Sequence, residues 1–157
     1  MNPTSSNSDF SSNVVALPSA NFRLQVIEPD YSWRNAAVAQ LEKLVREPAG
    51  WDGYIAFPVS LLNANFALRM LDAICGSGAT GPQIVPGLEG DLQIEWHTMQ
   101  GDVELHVLGP NRVHGWRRLV GLVEREDELE LEIEFSGVAA WVREITEQPR
   151  APNVAAA

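Results

Sequence analysis

Carboxylates alternate with apolar residues in the middle and late parts of this chain. Leu92–His97 and residues 103–108 put Glu95, His97, Glu104 and His106 at every second position, and residues 128–135 do the same for Glu128, Glu130, Glu132 and Glu134. A spacing of two places such residues on one face of a β-sheet, opposite a buried apolar face. Glutamates and histidines gathered there could do three kinds of work. Glu95, Glu104 and either His97 or His106 could ligate a divalent metal. Two carboxyls about 5–9.5 Å apart could serve glycoside hydrolysis. A row of glutamates could also present negative potential to a cationic partner. The ordinary alternative is a solvated face whose charges are screened by salt.

The hairpin register follows from its loop. If Thr98-Met99-Gln100-Gly101 is the connection, His97 pairs with Asp102, Glu95 with Glu104, and Gln93 with His106. Two glutamates directly opposite repel unless something offsets the charge. No metal-ligand spacing on a helix or loop backs a metal site, and the chain has no nucleophile elbow, phosphate-binding glycine loop or His-Glu-x-x-His. The glycine-rich stretch 76–81 lacks a lysine and follows a helical pattern, so it reads as a helix stop. None of the histidines, His97, His106 and His114, has a triad partner evident in the sequence. Arg112, His114, Arg117 and Arg118 form the only basic cluster, which reads as neutralising acidic strands across the sheet.

A second segment stands out for its aromatics. Residues 50–58 place Trp51, Tyr54 and Phe57 in a loop with the turn signal Asp52-Gly53. Such side chains either plug the gap between helices and sheet, their polar tips hydrogen-bonded, or act as hot spots for a partner.

The elements that must position these residues are legible from periodicity. Residues 22–27 alternate as a strand that Pro29 stops. Ser32 is a candidate cap for a helix over 33–47, ended by Pro48 and Gly50, and Ser60 for a helix over 61–75. The period then changes. A short strand is expected at 83–85, followed by the hairpin, a turn at 109–112, one or two strands within 113–123 broken near Gly121, the strand 128–135 with Leu129, Leu131, Ile133 and Phe135 inward, and a final helix over 138–147. Segregated helices and consecutive hairpins indicate an α+β fold: an antiparallel sheet of about 4–6 strands, two N-terminal helices packed on it, and a C-terminal helix.

Composition bounds the function. The 157 residues suit one domain, expected over 21–148, with flexible tails at 1–20 and 149–157. The formal charge is −10, from 21 acidic and 11 basic residues. That balance disfavours nucleic-acid backbones and anionic membranes and favours basic partners. Cys75 is alone, which rules out an intrachain disulfide; at a helix end it reads as a small buried hydrophobe. With no apolar run of about 18 residues and no secretory pattern at the N-terminus, the cytoplasm is the expected compartment. No cofactor is expected.

Trp51-Asp52-Gly53-Tyr54, then Ala56 and Pro58, then Pro86 and Gly90 leading into Glu95-Trp96, resembles a group of uncharacterised bacterial proteins that look like cargo of mobile elements, some beside genes of toxin–antitoxin type. The likeness covers about residues 41–108 and departs at Ile55, where the group tends to have glycine. It implies no catalytic residues. The leading expectation is a non-enzymatic acidic protein, antitoxin-, immunity- or inhibitor-like, that binds a basic partner through Glu128, Glu130, Glu132, Glu134, Glu95 and Glu104, with Trp51 and Tyr54 as further contacts. A small metal-dependent hydrolase built on the central hairpin is the alternative, and self-association through an exposed strand edge is a third reading.

Overall fold

In a computed structural model, residues 28–121 and 125–147 are described. The first helix, α1 (Ser32–Arg46), turns Trp33, Ala37, Leu41 and Leu44 inward, the three-and-four spacing that lines one side of a helix. Its N-cap is Tyr31, so Ser32 lies inside the first turn rather than capping it. Buried Trp33 fixes the entry, with Nε1 donating to the Gly76 carbonyl at 3.1 Å. Ser60 does cap α2 (Leu61–Ile74): its hydroxyl accepts from the Asn63 N–H at 3.1 Å. Buried Asn63 in turn donates to the Gly90 carbonyl at 2.8 Å, tying the helix to the loop that leads into the sheet.

The sheet is an antiparallel meander. Its strands are β1 (Gln83–Pro86), β2 (Leu92–His97), β3 (Gly101–Gly109), β4 (Arg112–Leu119) and β5 (Arg125–Leu131), and the spatial order equals the chain order. The pairs His97–Asp102, Glu95–Glu104 and Gln93–His106 form as the loop length implies. α3 (Ser136–Thr146) closes the fold. α1 lies against β1, α2 against β3, and α3 against β3 and β4, so the described helices share one side of the sheet. This is the expected α+β architecture.

That side holds the core. Leu92, Ile94, Val103, Leu105, Val107 and Val113 point from the sheet into it and meet Met70, Leu71, Val138 and Ile145. Burying each such side chain is worth about 1.5–3 kcal/mol. Cys75 is buried there too, and burial, followed by the nearby Asp72 charge, pushes its thiol up to about 11.

One expectation of the sheet needs correction. The strand expected over 128–135 is β5, Arg125–Leu131, displaced toward the N-terminus. Val113–Leu131 is the last pair with β4, which begins only one residue earlier, at Arg112, just after a turn. Phe135 leaves the ladder to meet Phe66 edge-on, ring centroids 6.1 Å apart, so the chain bends at 132–134 and Ile133 is 76% exposed instead of inward. Among the described residues of the region 113–123 there is one strand, as the expectation of one or two allowed, and it stops at Leu119, ahead of Gly121. The strand expected at 22–27 and both tails lie outside the described residues. Among the described residues no helix is long and apolar enough to cross a membrane.

Candidate interaction face

Because β2 to β5 alternate in register, the sheet side away from the helices is a grid. One row runs Gln83, Glu95, Glu104, Trp116, Glu128. A second runs Gln93, His106, His114, Glu130, and a third His97, Asp102, Arg118, Glu126. Glu95, Asp102, Glu104, Glu126, Glu128 and Glu130 thus share this face with two guanidiniums, Arg112 and Arg118. Of the expected partner contacts, Glu95, Glu104, Glu128 and Glu130 come together here.

Glu132 and Glu134 do not join them. They follow the end of β5, and Glu134 instead accepts the Ser136 N–H at 2.7 Å at the start of α3. That backbone bond holds its carboxyl below the ordinary range, a local role at a helix N-terminus.

The histidines divide the carboxylates into pairs. His97 bonds Asp102 through Nδ1 at 2.9 Å and Glu95 through Nε2 at 3.1 Å. Those bonds, Asp102 first, raise its pKa above the ordinary 6.5. Asp102 is lowered in return, chiefly by the His97 bond and then by Arg118, whose Nη2 lies 2.5 Å away. His114 Nδ1 meets Glu130 at 2.6 Å. His106 bonds Asp91, at the rim of the face; burial pushes Asp91 up, but that bond and backbone donors outweigh it, and the net shift is down. Glu104, Glu126 and Glu128 form no ion pair among the described residues.

The described residues do not assemble the metal site weighed as an alternative. Among the described residues no group of three or more His, Cys, Asp or Glu side chains is placed to hold an ion. The depression beside Glu95 and His97, walled by Thr80, Gly81, Gln83, Trp96 and Thr98, is shallow and encloses about 210 Å³. That is below the size of pockets that enclose an organic ligand, roughly 300 Å³ and upward.

Arg117, from the basic cluster, points the other way. It is buried on the helix side, with Nε 2.7 Å from Asp127, Nη1 2.6 Å from Glu144, and its guanidinium 4.7 Å from the centre of the Trp141 ring. Charge neutralisation across strands is therefore the work of Arg117, Arg118 and His114, on both faces.

The aromatic loop differs from the plug reading. Asp52 folds it on itself by accepting the N–H groups of Tyr54 at 2.9 Å and Ala56 at 3.1 Å. Gly50 and Gly53, with φ of 75° and 86°, supply the left-handed turns. Small Ala56 and Val59 fill the interior. Half-buried Trp51 donates Nε1 to the Phe57 carbonyl at 3.0 Å, and Tyr54 is 85% exposed. The loop runs beside the segment before β2: the Phe57 N–H donates to the Leu88 carbonyl at 2.9 Å. Tyr54, Ile55, Phe57, Leu61, Leu62 and Leu88 are all exposed around this junction. Apolar residues of this size scattered singly are normal, whereas clusters mark contact surfaces. Three residues beyond Leu88, Asp91 meets His106 on the acidic face, so the two surfaces adjoin.

Trp116 is a site residue that sequence reasoning missed. Trp116 is half-buried in mid-grid between Glu104 and Glu128. The alternation of Val113, Gly115 and Arg117 inward against His114, Trp116 and Arg118 outward was the available signal, masked by a glycine and a buried arginine on the core side. No family model matches the chain, and neither the curated proteins nor the solved structures provide a match.

Proposed function

We propose that this protein is a non-enzymatic interaction module that binds a basic protein partner through the outer face of its sheet, in the manner of an antitoxin, immunity protein or inhibitor. The observation that carries the reading is the grid itself: Glu95, Glu104, Glu126, Glu128 and Glu130 on adjacent strands around Trp116. Glu95 and Glu104, directly opposite on β2 and β3, repel one another, a cost to the free protein that a cationic partner would offset. Half-buried Trp116 among them offers a guanidinium or ammonium group both a ring face and counter-charges. The adjoining apolar junction at Tyr54, Phe57 and Leu88 would add desolvated contact area. The likeness to mobile-element cargo fits an inhibitor of a nucleic-acid-binding effector, whose basic groove such a face would occupy.

The test is affinity capture from the native host with the wild-type chain and with a Glu95→Lys, Glu104→Lys, Glu128→Lys variant whose folding is checked by circular dichroism. A basic protein should be held by the wild type at low salt, released as salt rises, and lost by the variant. Equal capture by both chains removes the acidic face as the interface.

A further inference from the structure

The two edges of the sheet differ. β1 is four residues long, ends in Pro86, and its Ile84 carbonyl already accepts Gln40 Nε2 of α1 at 3.3 Å. Proline and a covering helix are ways in which an edge is closed. β5 has seven residues and no proline, and no strand pairs with its far side among the described residues. Its outward positions are Glu126, Glu128 and Glu130, all exposed; its inward positions include half-buried Leu129. Arg117 and Arg125 both grip Asp127, so the strand is held in place at its middle.

Building on the reading above, we infer that the β5 edge takes up an extended segment of the partner as an added strand, with Lys or Arg at alternate positions facing Glu126, Glu128 and Glu130 and apolar residues between them covering Leu129. The unpaired N–H and C=O groups of the edge supply the ladder, and the row of glutamates selects the sequence. A second copy of this chain does not meet that requirement. Antiparallel pairing of two β5 strands centred on Glu128 sets Glu128 against Glu128 and Glu126 against Glu130, and like charges directly opposite are destabilising. The pattern that refuses self-pairing is the one that accepts a cationic strand.

Two short peptides separate this mode from simple charge attraction. One alternates Lys and Val; the other is identical but N-methylated on the amides that would face β5, so it keeps every charge and side chain and cannot form the ladder. With isotopically labelled full-length chain, the first peptide should shift the resonances of residues 125–131 and slow exchange of their outward amides. N-methylation should weaken binding about tenfold or more, and Glu128→Lys about fivefold or more. If both peptides bind alike, with shifts spread over Glu95, Glu104 and Trp116, the acidic face stands as an interface and the edge mode fails. If neither binds, both ideas fail.

Discussion

His97 shows how a single side chain can be weighed. It sits between Asp102 and Glu95 and is half exposed, so its bonds are solvent-screened and of modest worth. Its pKa is raised above 6.5, so the stability it contributes is fully present below about pH 6.5 and is lost as pH rises through the folded-state value. Asp102, lowered from 3.8, contributes stability above about pH 3.8 and loses it as pH falls through its own folded value. The pair therefore helps most in the window between. His97→Ala should lower the thermal midpoint by about 1–2 °C near pH 5.5 and much less near pH 8. A midpoint difference that is flat across that range would show that the ring is held by packing and not by its charge.

At the scale of elements, the strands that bury one clean face were legible in the sequence and the rest were not. β2 and β3 alternate without exception through Leu92, Ile94, Trp96, Val103, Leu105 and Val107, and a short loop fixed their register, so the opposition of Glu95 and Glu104 followed without coordinates. β5 misled because Leu129, Leu131, Ile133 and Phe135 keep a period of two across a point where the partner strand ends; alternation says nothing of how many residues the neighbour has left. Arg117 misled for the opposite reason, since a charged residue on the core side is readable only once Asp127, Glu144 and Trp141 are known to surround it. That residue links β4, β5 and α3. Arg117→Ala would leave Asp127 partly buried without its main partner and empty the space against Trp141. The expected loss is about 2–4 kcal/mol in denaturant unfolding, against under about 1 kcal/mol for Glu144→Gln, whose carboxylate is 53% exposed. Losses of equal size in the two variants would mean that the exposed ion pair, and not the buried guanidinium, ties these elements together.

For the whole molecule, the distribution of charge sets a contest between pairs that salt weakens and like charges that salt relieves. His97, His114 and Arg118 each hold a carboxylate, but Glu104 faces Glu95 and has no paired cation among the described residues, and Glu126 and Glu128 add to the same surface. With a formal charge of −10, repulsion should dominate. Raising NaCl from about 20 mM to about 200 mM shortens the screening length from roughly 20 Å to about 7 Å, which relieves repulsion between rows as well as neighbours. The thermal midpoint of the wild type should therefore rise with salt. Glu104→Gln should stabilise the chain by about 0.2–1 kcal/mol near neutral pH, the cost of one opposed like-charge pair. A surface residue whose neutralisation strengthens the fold while weakening capture of a cationic partner is retained for binding and not for stability. A midpoint that falls with salt, or a Glu104→Gln variant less stable than the wild type, would mean that the grid is internally balanced and has no excess negative potential to offer.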